Sequence, residues 1–474
     1  MESLLEMPHS LCYTEHDFTR LPARNSLFWK GRPALMYMKN ELYFYQVTPR
    51  IFRDGIPANV TIRSLSAHTA FEDGHTYTLG IYPLTQDIYS ETKPPIVFYP
   101  VTAQEGALGF RHAFTGEQEH QIRIFKDESR TERVAVLSVY SLREDLFERR
   151  PYLGDFHVHT YLSDGQESPE FVAAMYRQCG YDFIPITDHG KMQPSLPAIQ
   201  AFQGIEIDFK LYPGEEVHSP GNPIHILNFA GDFSVNERCL AGDGEIWGNP
   251  GRPEWNQRVR ERMEALPEHL PEGVDPFVHA SCLEVIDLIR EANGMSVFCH
   301  PFWQADVHNV TDGFTEFYLK NGFADAFELI GGQSNHENML QIAFYQQMLA
   351  EGASIPVLGN SDSHGTVNKD WFQEAKTIVF AKSNSREGII EAVKGQYTAA
   401  MDEYRGQHPH FHAPFRMVRY ALFLWENYFP LHHELCYEEG RLMRAYINGD
   451  PSAKARLEAL KGQTIRLMEE QFAP

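Results

Sequence analysis

Cysteine is scarce, with six residues in 474 at Cys12, Cys179, Cys239, Cys282, Cys299 and Cys436 and no Cys-x-x-Cys pair. That spacing excludes a disulfide framework and a zinc finger and fits a reducing compartment. Basic residues are in deficit too: 41 Lys plus Arg stand against 64 Asp plus Glu, for a formal net charge of -23. So acidic a surface repels polyanions, which excludes long nucleic acid as an expected partner and otherwise serves solubility. Long apolar runs are missing as well. The stretch 417–425 near the end is too short for a bilayer and carries Arg419, so it reads as a buried helix. Residues 1–6 lack the basic and apolar pattern of an export signal, which gives the expectation of a cytoplasmic protein with no membrane partner. Low-complexity tracts are absent, and 43% hydrophobic with 22% charged residues describes packed domains. Nothing in the chain specifies an oligomeric state.

What the chain does hold is an ordered series of ligand-type residues at the ends of apolar runs, spread over about two hundred residues. It begins with Asp155-Phe156-His157-Val158-His159-Thr160 and Ser163-Asp164-Gly165. Thr187-Asp188-His189 follows, then Pro213-Gly214-Glu215-Glu216 with His225 soon after. Cys299-His300-Pro301 and Ser361-Asp362-Ser363-His364 complete it. In extended backbone alternate side chains point the same way, so His157 and His159 can grip one ion. Imidazole mixed with carboxylate suits Zn, Mn or Fe, whereas oxygen ligands alone suit Mg or Ca. So many donors exceed what one four- to six-coordinate ion uses, and more than one ion is expected.

A chain this long is expected to form two or three domains. Within 1–150, the β-branched and aromatic runs 42–47, 59–62, 76–81 and 134–139 read as strands of a β-sandwich, with His112, His120 and Arg123 either on a solvated face, the favoured reading, or binding a ligand. From 151 to 405 strands alternate with helices, which favours parallel βα units. The candidate strands are 156–160, 181–187, 202–209, 224–229, 295–299, 326–330 and 355–359. Ser168, Pro169 and Glu170 mark the start of the first helix and Gly180 its end. Ligands gathered at the carboxyl ends of parallel strands are what a barrel-type site requires. Between 231 and 279 this rhythm lapses around Asp243-Gly244-Glu245 and Asn249-Pro250-Gly251-Arg252-Pro253, an insertion that reads either as a lid or as peripheral decoration. The remainder, 406–474, is helical in pattern.

Taken in order, these motifs resemble the PHP (polymerase and histidinol phosphatase) metallohydrolase superfamily over residues 152–400. The resemblance implies an α/β fold: a distorted seven-stranded βα barrel, here preceded by the β-sandwich and followed by a helical extension packed on the barrel. The sandwich and Pro213-Gly214-Glu215-Glu216-Val217 are similar to the carbaryl-hydrolase (CehA/McbA) branch. It further implies two or three divalent ions, Mn, Fe or Zn, at the strand ends. Carried over position by position, His157, His159, Glu216 and Asp362 hold one ion. Glu216 bridges to a second, held also by His225 and His300, and Asp164, His189 and His364 take a third. Glu206 in Gly204-Ile205-Glu206 also fits the bridging pattern; Glu216 is favoured because Ile224-His225-Ile226-Leu227 completes the next signature.

The chemistry so implied is hydrolysis by a metal-bound hydroxide, oriented by Glu216, Asp362 and Asp188. Asp188 either accepts an imidazole N–H or closes a strand-end turn. Lys191, His218, Trp303, Gln333 and His336 lie near the motifs as candidates for substrate contact, whereas His408, His410 and His412 read as surface histidines without metal. The expected substrate is a small anion, a phosphorylated metabolite or short nucleotide, because bound cations outweigh the ligand carboxylates. Carbamate or carboxyl-ester hydrolysis is the alternative within the branch. A ligand-binding protein with a closed, structural metal site is the alternative outside enzymes.

Overall fold

Alternating burial shapes the first part of the chain. In Pro57–Ser64, Val60 and Ile62 point inward while Thr61 and Arg63 face solvent, and Gln118–Phe125 repeats the pattern with His120, Ile122 and Ile124 buried. Tyr45–Thr48, Pro57–Ser64 and Ala107–Ala113 pair as a three-stranded antiparallel sheet. Ile51–Arg53, Arg133–Leu142, Gln118–Phe125, Thr76–Pro83 and Val97–Thr102 pair in that order as a five-stranded sheet. Both feed one apolar cluster, in which Val47, Val60, Ile62 and Leu108 meet Leu79, Ile81, Ile122, Ile124 and Val139. Each such side chain gains about 1.5–3 kcal/mol on burial. The expected strand at 42–47 starts later, because Asn40–Phe44 is helical.

The computed structural model describes residues 38–85, 96–242, 246–304, 307–367, 371–404 and 408–474. Cys12, residues 1–6, Asp243-Gly244-Glu245 and Gln407 lie outside the described residues. The polar residues singled out in the N-terminal region pack instead of lining a solvated face. His120 is buried, its Nε2 2.8 Å from Ser141 Oγ, and burial drives its pKa down to about 3. His112 Nδ1 lies 2.9 Å from the Tyr99 hydroxyl, and Arg123 sits 4.0 Å over the Tyr82 ring.

Between 150 and 412 the strands form two mixed sheets. The six-stranded sheet runs Lys210–Tyr212, Phe183–Pro185, Arg150–Gly154, Ala375–Ala381, Thr398–Asp402, His410–His412. The five-stranded sheet runs Gly214–His218, His225–Phe229, Met295–Phe298, Ala326–Ile330, Val357–Gly359. Only the pairs around Phe183–Pro185 and the last three strands of the second sheet are parallel. The other pairings are antiparallel, so parallel βα units account for only part of these sheets. The sheets join at the ligand-bearing segments: Val158 bridges Ser363, Thr187 N donates to Val158 O at 2.8 Å, and His189 bridges Glu216.

Two expected strands are displaced. The ladder nearest the first motif is Arg150–Gly154, so 155–160 runs on beyond it and turns its side chains inward. Residues 202–209 form no strand, because the helix Ser195–Ala201 ends there and Gly204 takes a left-handed φ of 80°. Phe202, Ile205 and Phe209 are nonetheless buried as packing anchors. In the insertion, helices Pro253–Glu264 and Pro276–Glu291 pair through Arg258 and Arg262 with Glu284, and Trp255 and Val259 pack with Val217, Ile224 and Ile226.

The last helices, Phe415–Asn427, Phe429–Ile447, Ala453–Leu460 and Gln463–Gln471, close over both regions. Tyr420, Phe423, Leu424, Leu442 and Met443 share a cluster with Tyr140 and Leu142 of the five-stranded N-terminal sheet and with Val172 and Tyr176 of the helix Pro169–Gln178. Gly440 permits that contact, since a Cβ there would lie 2.2 Å from Gln178 N. Ser168 holds the N-cap position of that helix without a side-chain cap bond. The five described cysteines are free and buried, and among the described residues no helix is long and apolar enough to cross a membrane.

Candidate metal centre

The turn after Arg150–Gly154 is locked before it delivers a ligand. Asp155 is buried and accepts from Ser361 N at 3.0 Å, His157 N at 3.1 Å and the Tyr176 hydroxyl at 3.1 Å. It therefore ties the first motif to the last, and burial pushes its pKa up to about 7. Asp188 accepts from Thr160 N at 2.8 Å, Thr160 Oγ1 at 2.6 Å and Ser163 Oγ. Of the two roles read for Asp188, these contacts are those of the strand-end turn: it holds the 160–163 loop in place ahead of Asp164.

Strand alternation separates Glu215 from Glu216. Glu215 is satisfied by Asn228 Nδ2 at 2.9 Å, Ser234 Oγ at 2.7 Å, Val235 N at 2.6 Å and Asn236 Nδ2 at 2.9 Å. Glu216 is wholly buried and points the other way. Its Oε2 lies 2.6 Å from His189 Nδ1, 3.3 Å from His157 Nε2 and 3.4 Å from His159 Nε2. Its Oε1 lies 2.6 Å from His225 Nδ1 and 3.4 Å from His300 Nε2. Asp362 Oδ1 is 3.0 Å from His159 Nε2 and 3.3 Å from His157 Nε2. Asp164 Oδ1 is 3.2 Å from His364 Nε2 and 3.5 Å from His189 Nε2.

The structure thus gathers His157, His159, Asp164, His189, Glu216, His225, His300, Asp362 and His364 into one centre. Glu206 is elsewhere: its exposed carboxylate pairs with Lys461. Glu216 and the rings of His157 and His159 are fully buried, whereas the Asp164 side chain is 57% exposed, so the centre opens on the Asp164 side.

These residues fit divalent cations. His157 Nε2, both ring nitrogens of His159, both Glu216 oxygens, His225 Nδ1 and Asp362 Oδ1 are buried without a hydrogen-bond partner among the described residues. Each such orphan costs about 1–3 kcal/mol. Many facing donor atoms are 3.0–3.4 Å apart. Metal–ligand bonds of about 2.0–2.2 Å produce edges of that size.

The electrostatics agree with the geometry. Burial, then the charge of neighbouring rings, drives His159 and His225 to about 3, so both are neutral and present lone pairs. Burial opposes the charges of Glu216 and Asp362, but the surrounding imidazoles hold both carboxyls well below their ordinary range. Burial likewise opposes charge on His189, which Glu216 and Asp164 nevertheless raise to about 10. Burial opposes charge on three further rings, yet Asp362, Glu328 and Glu216 raise His157; Glu216, Glu328 and Asp362 raise His300; and Asp164 and Asp362 raise His364. A raised ring pKa favours a proton there, the counter-charge that a bound cation would otherwise supply. His300 at φ 22° and Asp362 at φ 48° are left-handed non-glycine residues, at about 1–3 kcal/mol each.

Sequence reasoning missed Glu328. On Ala326–Ile330 it is fully buried, its Oε2 2.9 Å from His157 Nδ1 and accepting from Asn360 Nδ2 at 2.9 Å. The signal was a lone carboxylate inside Ala326-Phe327-Glu328-Leu329-Ile330. Among the residues flagged for substrate, His218 Nε2 lies 2.8 Å from His189 Nδ1 and its ring 4.1 Å from that of His225, so it buttresses the centre. Lys191 is exposed and donates to Leu162 O at 2.9 Å. His336 is exposed in the first turn of Asn335–Ala350. His408 and His410 are exposed, and His410–His412 is the outermost strand of its sheet.

No protein-family model and no curated protein matches the chain. Solved structures do. A two-domain protein from Bacteroides vulgatus containing a predicted PHP-like metal-dependent phosphoesterase is 18% identical over 53% of this chain and 65% of its own, with a TM-score of 0.36. A candidate metal-dependent phosphoesterase from Bifidobacterium adolescentis is 20% identical over 48% of this chain and 96% of its own, TM-score 0.31. An amidohydrolase from Chromobacterium violaceum, with sulfate and no metal bound, is 16% identical over 46% and 90%, TM-score 0.29. The chain therefore spans less than two thirds of the Bacteroides protein it matches.

Proposed function

We propose that this protein is a metal-dependent hydrolase, and within that class a phosphoesterase acting on a small phosphorylated metabolite or short nucleotide. The observation that carries the proposal is the Glu216 carboxylate. One oxygen faces His157, His159 and His189, and the other faces His225 and His300, so Glu216 would be placed to hold an ion on either side. Divalent cations in such a centre supply a water of lowered pKa and offset charge on phosphoryl oxygens.

The chain's own residues set the conditions. Neutral His159 and His225 offer ring nitrogens as donors, and Glu216 and Asp362 keep their charge where water does not solvate them. Glu328 fixes His157 through Nδ1 and leaves Nε2 to the centre. The buried wall around Glu216 excludes water, and the open Asp164 rim admits an anion. Burial pushes the pKa of the Cys299 thiol far up, which disfavours a free thiolate at the one cysteine in the motifs.

The test is hydrolysis of a chromogenic phosphate monoester, a phosphodiester and an aryl carbamate by the Mn-loaded protein, with chelated controls. Chelator-sensitive phosphate release is expected. Carbamate turnover without phosphate release would assign the carbamate chemistry instead, and no turnover of any ester would contradict the hydrolase reading.

A further inference from the structure

Beside the metal centre lies a second built feature. A cavity of about 350 Å³ is lined by Trp303, Gln333, Trp371, Glu374 and Tyr404, among others. Trp303 follows the ligand His300 by one turn, its N donating to His300 O at 3.0 Å, and its ring centroid is 6.0 Å from those of His225 and His300. On the other wall, the Gly331-Gly332-Gln333 loop rides directly on a ligand segment. A Cβ at Gly332 would stand 2.1 Å from Ser361 O and 2.7 Å from Asp362 Cβ, so only glycine permits that approach.

Gln333 is the unusual member. Its side chain is buried, with the residue only 2% exposed, yet neither Nε2 nor Oε1 has a hydrogen-bond partner among the described residues. Its backbone is held, with N donating to Gly331 O at 2.8 Å while Asn338 braces the same turn through Gly331. A carboxamide offers N–H donors and a carbonyl acceptor in one plane, and proteins rarely bury both unused. The neighbouring Glu337 carboxylate is already committed to Ser334 and to Gln304 N.

We propose that this cavity is a specificity subsite for a flat heteroaromatic ring whose edge presents an adjacent donor and acceptor, as a nucleobase does. Gln333 pairs with that edge at two points, the geometry by which a carboxamide reads a base. The indoles of Trp303 and Trp371 and the phenol of Tyr404 offer faces for stacking. The carboxylates of Glu337 and Glu374 make the cavity unfavourable for an anion. A substrate therefore places its neutral ring here and its phosphate toward the metal centre. The orientation of that phosphate rests on the phosphoesterase reading; the recognition of the ring does not.

The test separates the two. Metal-stripped protein is titrated with adenosine, guanosine, cytidine, uridine and ribose while tryptophan fluorescence is followed, with Trp303→Phe and Trp371→Phe to assign the signal. Saturable quenching by at least one nucleoside and none by ribose is expected, with binding weakened about tenfold or more in Gln333→Leu. Gln333→Glu, which keeps the shape but loses the N–H donors, should change the order of preference among nucleosides. Circular dichroism establishes that each variant is folded.

With Mn-loaded protein, the ratio of kcat/KM for the best nucleoside monophosphate to that for ribose 5-phosphate should fall about tenfold in Gln333→Leu. Nucleoside quenching that depends on Gln333, in a protein that hydrolyses no ester, would uphold the subsite and remove the phosphoesterase. Phosphate release without nucleoside quenching, or quenching and kcat/KM ratios indifferent to Gln333, would overturn the subsite and leave the hydrolase standing.

Discussion

Two buried clusters in this molecule have nearly the same composition and opposite characters. Around Asp182, His432 and Cys436, every charge has an answer. His432 Nε2 lies 2.8 Å from Asp182 Oδ1, and Leu153 N donates to Asp182 Oδ2 at 2.9 Å. Arg177 joins Asp182 at 3.2 Å, Tyr181 O at 2.9 Å, Thr464 Oγ1 at 3.2 Å and also Glu439, which in turn accepts from Asp208 N at 2.8 Å. The centre around Glu216 holds the same residue types, but its inner atoms lack partners. Histidine and carboxylate content thus does not distinguish a structural network from a ligand site; unmet bonding capacity does. The closed network fastens the C-terminal helix Phe429–Ile447 to the helix Pro169–Gln178 through Arg177 and Glu439.

The contrast breaks most sharply at Glu216. Glu216→Ala should reduce turnover by more than the ~100-fold that loss of an outer partner causes, while Glu206→Ala stays near normal. Steady-state kinetics at saturating Mn would read both, and full activity in Glu216→Ala with loss in Glu206→Ala would reverse the assignment of the bridge. In the closed network the damage should fall on stability. Arg177→Met strands Asp182 and Glu439 in the interior, and a loss of about 3–5 kcal/mol is expected in urea unfolding, with or without metal. A loss that vanished on metal loading would join the two clusters that the structure keeps apart.

Glu328→Gln tests how the open centre is braced. Metal affinity should weaken by about 10–100-fold in calorimetric titration, with the fold retained. The smallest effect is one of pH. Burial alone would lower the pKa of His432, but Asp182 and Cys436 raise it to about 10, with the His433 ring 5.9 Å away and Arg177 on the same Asp182 oxygen. A raised folded pKa gives stability that is full below the unfolded value of about 6.5 and fades as pH rises through the folded value. Asp182 is lowered despite its burial, chiefly by His432, so its contribution is full above about 3.9 and is lost as pH falls through its folded value. The melting temperature should therefore decline from pH 6.5 to 10, and less steeply in His432→Gln. An equal decline in that variant would place the titration elsewhere.

Much of the centre was legible because a ligand at a strand end leaves a short local signature, and His157, His159, His189, His300 and His364 all do so. The two roles read for Asp188 stayed open in the sequence because its partners, Thr160 and Ser163, are remote in sequence and are found only by the chain's return. Glu328 hid inside an apolar strand, where its value lies in meeting His157 across the sheet. The strand expected at 202–209 failed because a buried apolar run reads alike in a strand and in a helix with its turn. Antiparallel pairing of Ala375–Ala381 with Arg150–Gly154 is a long-range choice that local periodicity does not encode.

Anomalous diffraction from Mn-loaded crystals tests the central claim most directly. Peaks flanking the Glu216 carboxylate, on its His157–His159 and His225–His300 sides, with none at Asp182, His432 and Cys436, are the predicted result. An empty Glu216 centre, or a peak in the closed network, would contradict it.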